Sequence, residues 1–323
     1  MLDVERLTID LPTASGLRRV VEDVSFKIAA AASLGLVGES GSGKTMTALA
    51  IMGLLPERAA VEGTIRFEGQ NLVALAEDAR RRLRGDRIAM VFQEPMTALN
   101  PLHHVGSQVA EPLLVHGRAN RRDAKARALE LIESVRLAAP RRAARAYPHE
   151  LSGGERQRAM IAMAIACSPK LLIADEPTTA LDVTVQANIL DLLGALRLES
   201  EMALMLVSHD LAVVARTCAT VAVMYGGMLM EVAPVGVIAH KPAHPYTRAL
   251  LAARPRQGAK RGERLPALPL AAPPTPSDEP GCVFAPRCAF AIERCRAHRP
   301  PMKTLSDGHV ARCVRLDEPG FPP

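Results

Sequence analysis

Residues 38–45 read GESGSGKT and match the pattern G-x-x-x-x-G-K-[S/T]. The apolar run SLGLV (33–37) comes directly before them, and the helix-like segment MTALAIMGLL begins at Met46. Glycines let the backbone N–H groups of such a loop curl around phosphate oxygens, and the following helix adds its positive N-terminal dipole. The pattern therefore predicts a fold in which a buried strand leads into a phosphate-binding loop and then into a helix.

Within this loop, Lys44 is expected to reach the β- and γ-phosphates of a nucleotide, and Thr45 offers a hydroxyl group to Mg²⁺. The alternative interpretation is a flexible Gly/Ser turn, which the strand–loop–helix context disfavours. The residues predicted to contact the nucleotide here are Gly38, Ser40, Gly41, Gly43, Lys44 and Thr45.

Three further apolar runs have the length and composition of buried parallel strands. They are RIAMVF (87–92), LLIA (171–174) and ALMLV (203–207), and they alternate with helix-like stretches. This alternation predicts an α/β architecture with a largely parallel sheet. Ligands of such sheets lie outside the carboxyl ends of the strands, so the polar residues that follow the runs are candidates for one site. Those candidates are Gln93, Asp175, Glu176 and His209.

Asp175 and Glu176 form a carboxylate pair at the end of the third strand. Beside a phosphate loop, Asp175 is expected to hold Mg²⁺ through water, and Glu176 to polarise the water that attacks the γ-phosphate. His209 is predicted to hydrogen-bond the γ-phosphate, and Gln93 to reach Mg²⁺ or the water. The alternatives are a helix N-cap for the carboxylates, a structural histidine and a turn glutamine.

Residues 151–158 read LSGGERQR and predict a second anion-binding helix. Ser152 is a suitable N-cap, and Gly153 and Gly154 permit close backbone approach. The alternative is an ordinary helix start with a glycine hinge. Because the chain already has one phosphate loop, a second helix tip of this kind indicates a site shared between two subunits.

Changes in composition predict how the chain is divided. Residues 95–165 carry helical patterns and are interpreted as a helical insertion within an ATP-binding domain that spans residues 1–252. Proline and charge become dense after that point, which predicts a linker over 253–281. A small cysteine-rich extension follows at 282–323.

Charge and hydropathy exclude several classes of protein. The net charge is only +6, with no Trp and three Tyr, which argues against a nucleic-acid partner. No apolar stretch approaches the ~18–20 residues that cross a membrane, and the N-terminus lacks the apolar run of a secretory signal. The chain is therefore predicted to be soluble and to dock on a membrane partner at most.

The motifs together resemble the ATP-binding subunits of ABC transporters. The matching elements are GESGSGKT, VFQEP, LSGGERQR, LLIADE, TALD (179–182) and His209. The resemblance implies a P-loop NTPase fold of ABC type, with a mostly parallel sheet, an antiparallel β part and a helical subdomain. It also implies a head-to-tail dimer, in which Ser152 and Gly154 of one subunit, with Gly153 between them, close over the ATP of the other. Asp182 would bridge the two sites.

Further segments resemble the ATPases of dipeptide and oligopeptide importers. They are ALNPLHHVGSQVAEPL (98–113), EPTTALDVTVQANIL (176–190), AHPYTRALL (243–251) and CVFAPRCAFAIERC (282–295). The resemblance implies a second, often non-identical ATPase subunit, two membrane permeases and an extracytoplasmic binding protein that delivers the peptide. It places the chain at the cytoplasmic face of the membrane as a peripheral subunit.

The sequence leaves three alternatives to peptide import to be compared. Nickel importers share the same ATPase core. Soluble ABC ATPases that act on nucleic acid or the ribosome usually carry two cassettes or a long coiled-coil insertion, and neither is present. A regulatory subunit without activity conflicts with the intact residues Lys44, Asp175, Glu176 and His209.

Two segments depart from the family pattern. Relatives usually stack an aromatic ring on adenine from the stretch just before DVSF, whereas residues 11–22 contain none and leave Val20 or a neighbour to make apolar contact. Loss of a stacked ring is worth about 0.5–1.5 kcal/mol and predicts weaker, less selective nucleotide binding. Residues 29–32 are Ala-Ala-Ala-Ala where relatives usually turn with Gly-Glu, which puts that local turn in question.

Four cysteines of the C-terminal segment have the spacing C-x5-C-x6-C-x17-C. A segment this short cannot bury enough apolar area to fold alone, so a staple is expected. Disulfides are rare in the cytosol, zinc prefers closer cysteine pairs, and four thiolates also suit a [4Fe–4S] cluster. The resemblance implies a [4Fe–4S] cluster, with zinc as the alternative. The predicted ligands are Cys282, Cys288, Cys295 and Cys313.

Overall fold

The computed structural model of the chain describes residues 1–179, 181–253 and 280–321. The predicted linker, 253–281, lies outside the described residues except at its two ends. By their internal contacts the residues form two compact units. The first unit comprises Met1–Lys27, Leu34–Val73 and the described residues of Ser208–Pro323, and the second comprises Ile28–Ser33 and the described residues of Ala74–Val207.

The described residues form strands and α-helices that alternate through most of the chain. The strands are β1 (Leu2–Thr13), β2 (Gly16–Ile28), β3 (Ser33–Val37), β4 (Ala60–Phe67), β5 (Gln70–Asn71), β6 (Ile88–Val91), β7 (Leu171–Asp175), β8 (Ala203–Ser208), β9 (Thr220–Tyr225), β10 (Met228–Pro234), β11 (Lys303–Ser306) and β12 (His309–Ala311). The helices are α1 (Lys44–Met52), α2 (Glu77–Leu83), α3 (Pro95–Ala98), α4 (Val105–Val115), α5 (Arg121–Ser134), α6 (Pro140–Arg145), α7 (Gly153–Ala164), α8 (Val183–Glu199), α9 (Leu211–Thr217), α10 (Val235–His240), α11 (Pro245–Ala252) and α12 (Glu293–Ala297).

One sheet of the first unit has the strand order β2-β1-β4-β5. β1 runs antiparallel to β4, with Leu2 opposite Phe67 and Asp10 opposite Ala60, and β4 is antiparallel to β5. Leu2 and Phe67 are almost fully buried, as expected where one face of a sheet is covered. This sheet is the antiparallel β part that the family resemblance implies.

In the first unit, strands also pair in the order β11-β12-β10-β9-β3. β3 is parallel to β9, with Leu34 opposite Thr220 and Val37 opposite Val223. β10 is antiparallel to β9, and β12 of the cysteine-rich tail is antiparallel to β10. The tail therefore continues a sheet of the first unit.

A buried carboxylate joins the tail to this sheet. Glu231 on β10 is fully buried and accepts hydrogen bonds from the backbone N–H groups of Ala243 at 2.7 Å and His244 at 2.9 Å. Nε2 of His309 on β12 lies 2.9 Å from the same carboxylate. A carboxyl group that has lost its water needs such partners, so this cluster fixes the end of the tail to β10.

Two arginines of the tail form ion pairs with β2. Arg312 donates to Asp23 at 2.8 Å, and Arg299 pairs with Glu22. The Arg312 side chain is only 6 % exposed, so its pair is partly withdrawn from water. The sequence predicts that the tail needs a staple, and these contacts with the first unit are an additional source of its order.

In the second unit, β6, β7 and β8 pair in parallel in the order β8-β7-β6. Every residue of the three strands is buried, which explains why each is a continuous apolar run. The predicted strands are confirmed to within one residue at each end, and β3 in the first unit has the predicted bounds, 33–37.

Between β6 and β7 the chain is helical, with α4 packed against α5 and α7. One face of α5 is apolar and buried: Ala128, Leu131 and Ile132, with Val135 at the C-cap, are 5 % exposed or less. Among the described residues, no helix is both long enough and apolar enough to cross a membrane.

The alanine run 29–32 forms a turn without glycine. Ala31 adopts φ 56°, a left-handed conformation that alanine takes at a cost of about 1–2 kcal/mol. Its carbonyl oxygen accepts a hydrogen bond from the guanidinium group of Arg197, and the carbonyl oxygen of Ala32 accepts one from the N–H of Leu204. These contacts offset the strain of the turn.

Candidate nucleotide-binding site

The phosphate loop connects β3 to α1 in the first unit. Gly41 and Gly43 have φ 78° and 98°, conformations that favour glycine. Gly43 is the N-cap of α1, and no side chain caps the helix. The first turn of α1 therefore presents its positive dipole to the loop without a competing side-chain acceptor.

Lys44 is folded into this loop and is only 5 % exposed. Its ammonium group donates to the carbonyl oxygens of Gly38 at 2.8 Å and Glu39 at 2.9 Å. A buried ammonium group needs such acceptors, and phosphate oxygens would be stronger ones. The arrangement holds a positive charge inside the predicted phosphate cradle.

Two positions of the loop leave no room for a side chain. A Cβ atom on Gly38 would lie 2.0 Å from the carbonyl oxygen of Met224 on β9. A Cβ atom on Gly43 would lie 2.9 Å from the carbonyl oxygen of Val20. The loop therefore packs between β9 and β2, and the backbone of Val20 lies beside the cradle. The predicted apolar contact of Val20 or a neighbour with adenine stays a prediction.

The carboxylate pair lies in the second unit, where β7 ends at Asp175. Asp175 is 2 % exposed, and Glu176 adopts φ 45°, a left-handed conformation uncommon for glutamate. The backbone N–H of Glu176 donates to the carbonyl oxygen of Val207 at 3.0 Å. Strained backbone of this kind is concentrated at functional sites, where the surrounding structure maintains it.

Glu176 and Gln93, which are two of the predicted catalytic residues, are in contact through a hydrogen bond. Oε2 of Glu176 accepts hydrogen bonds from Nε2 of Gln93 at 3.3 Å and from the hydroxyl group of Thr179 at 2.9 Å. Sequence reasoning did not include Thr179. Its position three residues after Glu176, at the end of a buried strand, was the available signal for a turn-forming contact.

The second helix tip, at the start of α7, has a complete capping box. The hydroxyl group of Ser152 donates to Glu155 at 2.7 Å and accepts from the N–H of Glu155 at 3.3 Å. The backbone N–H of Ser152 and then its hydroxyl group lower the pKa of Glu155. The predicted N-cap is confirmed.

Close approach at this tip occurs at Gly154. A Cβ atom there would lie 2.8 Å from Cγ1 of Val185 on α8. Asp182 is the N-cap of α8 and accepts a hydrogen bond from the N–H of Val185 at 2.9 Å. Within the predicted motif TALD (179–182), Ala180 lies outside the described residues.

His209 follows β8 directly and has an exposed side chain. The turn around it is fixed by the hydroxyl group of Ser208, which accepts a hydrogen bond from the N–H of Asp210 at 3.0 Å. Asp210 in turn caps α9. In the first unit the histidine therefore stands on a defined strand-to-helix turn rather than in the core.

All four tail cysteines line one small pocket together with Phe284, Phe290 and Phe321. Burial, followed by the neighbouring thiols, raises the pKa of Cys282 to about 12. Burial also raises the pKa values of Cys288 and Cys313. The described residues nevertheless include no group of three or more His, Cys, Asp or Glu side chains arranged to hold a metal ion.

A strand–loop–helix phosphate cradle, a carboxylate pair at the end of a buried parallel strand and a capped Ser-Gly-Gly helix tip define an ATP-hydrolysing cassette of the P-loop class. Residues 21–179 match the family model for ABC transporters, and residues 230–295 match that for the C-terminal region of oligopeptide/dipeptide transporters. The chain belongs to the ABC transporter ATPases, in the oligopeptide/dipeptide group.

Relatives match almost the whole chain. The "Probable peptide ABC transporter ATP-binding protein y4tR" of Sinorhizobium fredii is 49% identical, over 98% of this chain and 96% of its own. The dipeptide transport ATP-binding protein DppD of Escherichia coli K12 is 46% identical, over 100% and 99% respectively. A solved dimeric ATP-binding cassette in a post-hydrolysis state, bound to ADP and Pi, matches with a TM-score of 0.66 and 28% sequence identity. The match covers 73% of this chain and 99% of the chain of that structure.

Proposed function

We propose that this chain is the ATP-hydrolysing subunit of a membrane importer for peptides. The observation that carries the proposal is the match of residues 230–295 to the oligopeptide/dipeptide C-terminal model, combined with relatives named for peptide transport that align along nearly the full length. Its partners are two permease subunits, an extracytoplasmic binding protein and a second ATPase subunit, and it acts at the cytoplasmic face of the membrane. The domain is residues 1–252, with 282–323 as an extension.

In the proposed reaction, the phosphate loop binds the β- and γ-phosphates, and Lys44 exchanges its carbonyl acceptors for phosphate oxygens. Thr45, Asp175 and Gln93 are the residues that would hold Mg²⁺, directly or through water. Glu176 polarises the attacking water, and His209 hydrogen-bonds the γ-phosphate. The hydrogen bond between Gln93 and Glu176 supports this assignment, because it places the amide and the carboxylate side by side.

We infer that ATP is also contacted by a second ATPase subunit. Ser152, Gly153 and Gly154 form a helix N-terminus with a backbone that can approach a phosphate closely, and Asp182 lies at the start of the neighbouring helix. The similar solved cassette is dimeric, which supports the same arrangement here. Binding of ATP closes the dimer and hydrolysis reopens it, and that motion drives the permeases.

We propose further that Cys282, Cys288, Cys295 and Cys313 hold a [4Fe–4S] cluster, which staples the tail and supplies a redox-active centre. The four thiols share one pocket, and backbone N–H groups of residues 284, 290 and 315 bond the sulfurs of three of them. Hydrogen bonds to sulfur are one means by which proteins tune such clusters.

Anaerobic purification of the full chain is expected to give about four iron and four sulfide per chain, with visible absorbance that is lost on reduction. The control is Cys167→Ser, because that cysteine lies outside the pocket and its replacement should leave the iron content unchanged. Cys288→Ser should lower it. One zinc per chain without iron would establish the zinc alternative and refute the cluster.

Removal of the gene for this chain from its host is expected to lower uptake of radiolabelled di- and oligopeptides, because the importer then lacks an ATPase subunit that drives its permeases. Re-expression of the wild-type chain should restore uptake, whereas Lys44→Ala should not. Uptake of radiolabelled nickel serves as the comparison. A loss of nickel uptake with normal peptide uptake would overturn the proposed substrate class and retain the ATPase role.

A further inference from the structure

Glu39, the second residue of the phosphate loop, is held at three points by its neighbours in the first unit. Its backbone N–H donates to the hydroxyl oxygen of Tyr246 at 3.1 Å. Its carbonyl oxygen accepts a hydrogen bond from Lys44 at 2.9 Å. Its carboxylate accepts two hydrogen bonds from Arg287, at 2.6 and 3.0 Å. Two of these three restraints, from Tyr246 and Arg287, come from side chains distant in sequence.

Arg287 belongs to the cysteine-rich tail, where it directly precedes Cys288. Its side chain is 6 % exposed, and that of Glu39 is 27 % exposed. One guanidinium nitrogen also donates to the hydroxyl group of Tyr225 at 3.2 Å, and the guanidinium carbon lies 5.5 Å from the centre of that ring. A bidentate pair with these supports has a fixed geometry, unlike an ion pair at the surface.

The ring cluster beneath the pair fixes its position. Tyr225, Tyr246 and Phe284 are all buried, with ring centroids 4.7 to 5.2 Å apart. Burial raises the pKa of Tyr246, so a neutral hydroxyl group accepts the N–H of Glu39. Phe284 comes from the tail, whereas the two tyrosines come from β9 and α11. The tail thus forms one wall of the support for the loop.

The negative charge of Glu39 explains why an ion pair with Arg287 is needed beside the phosphate loop. A carboxylate next to a cradle for polyphosphate repels the ligand unless a cation neutralises it. Arg287 supplies that cation from the side of the loop next to the tail. Removal of the guanidinium group would leave a largely buried negative charge in the loop and would also release one of its three restraints.

We propose that Arg287 is a positioning residue for nucleotide binding, which acts through Glu39 to hold and neutralise the phosphate loop, so that the cysteine-rich tail is a working part of the ATP site. This inference rests on the proposed binding of ATP by residues 38–45. It assigns Arg287 a function that is distinct from ligation of any group by the neighbouring cysteines.

The test measures the affinity of the full-length chain for Mg²⁺ and a fluorescent ATP analogue. Arg287→Met is expected to weaken binding about five- to tenfold, since residues in direct contact couple at this level. The matched control is Arg299→Met, which removes another ion pair between the tail and the first unit, with Glu22, without touching the loop. It should change affinity less than about twofold. Arg287→Lys keeps the charge and should recover part of the loss.

A double variant separates the proposed role from general damage to the fold. In a Glu39→Gln background, the charge that needs neutralising is gone, so Arg287→Met should change affinity less than about twofold. This comparison remains informative if Arg287→Met alone folds poorly, because the neutral pair leaves no isolated charge. Equal losses from Arg287→Met in both backgrounds, or equal losses from Arg287→Met and Arg299→Met, would overturn the inference.

The proposed nucleotide site has its own control. Lys44→Ala should lose binding in every background. If the wild-type chain binds and Lys44→Ala does not, while Arg287→Met binds like the wild type, only the role of Arg287 fails. If Lys44→Ala binds like the wild type, the assignment of the loop itself fails.

Discussion

Replacing Glu176 with Gln is expected to lower ATP turnover about 100- to 1,000-fold and to leave ATP affinity within a few-fold of the wild type. The amide has the same shape and can keep contact with Thr179 and Gln93, so the local structure should survive. It cannot take up the developing proton of the attacking water. The loss should therefore appear in kcat and not in binding.

Phosphate release by the purified chain, measured beside equilibrium binding of an ATP analogue, separates these two effects. Glu199→Gln is the matched control, because Glu199 is an exposed carboxylate at the end of α8 in the same unit. It should retain wild-type turnover. Glu176→Gln, in contrast, should accumulate as an ATP-bound dimer. Full turnover by Glu176→Gln would transfer the catalytic role to another residue.

The second large effect is expected at Gly38. A methyl group there would lie 2.0 Å from the carbonyl oxygen of Met224 and 2.7 Å from the hydroxyl oxygen of Ser42. Neither the backbone of a central strand nor the buried Ser42 can move far. Gly38→Ala is therefore expected to lower the free energy of unfolding by about 3 kcal/mol or more, and to displace the loop.

Gly41→Ala is the control for this substitution. A Cβ atom at Gly41 meets nothing within 4 Å, although φ is +78°. Only the backbone strain of a left-handed alanine should appear, at about 1–2 kcal/mol. Denaturant unfolding of both variants measures the difference. Equal destabilisation by the two substitutions would contradict the close packing of Gly38 on β9.

Much of the architecture follows from local patterns in the sequence. The run 33–37 is a strand with those bounds, and the apolar face of α5 is buried, because hydrophobic periodicity is a property of consecutive residues. The N-cap of α7 was equally predictable, since Ser152 and Glu155 have the spacing of a capping box. Each of these features is specified within a few positions of the chain.

Other parts of the site were not accessible to such reasoning. Glu39 and Arg287 are 248 positions apart, and neither the phosphate-loop motif nor the cysteine motif indicates that they pair. The same is true of the buried carboxylate of Glu231 and its partner His309, 78 positions away. A polar residue does not reveal in sequence which distant partner will satisfy it. The sequence consequently predicted a separate C-terminal extension, although strand β12 of the tail pairs with β10 of the first unit.

By itself, the sequence determined the strand–loop–helix cradle, the carboxylate pair and the second helix tip, because each needs particular residue types at short spacing. Only the tertiary structure decided what holds the cradle in place. Gly38 packs on β9, and Glu39 is fixed by Arg287. Those contacts join segments far apart in the chain, and they exist only once the sheet of the first unit has brought the segments together.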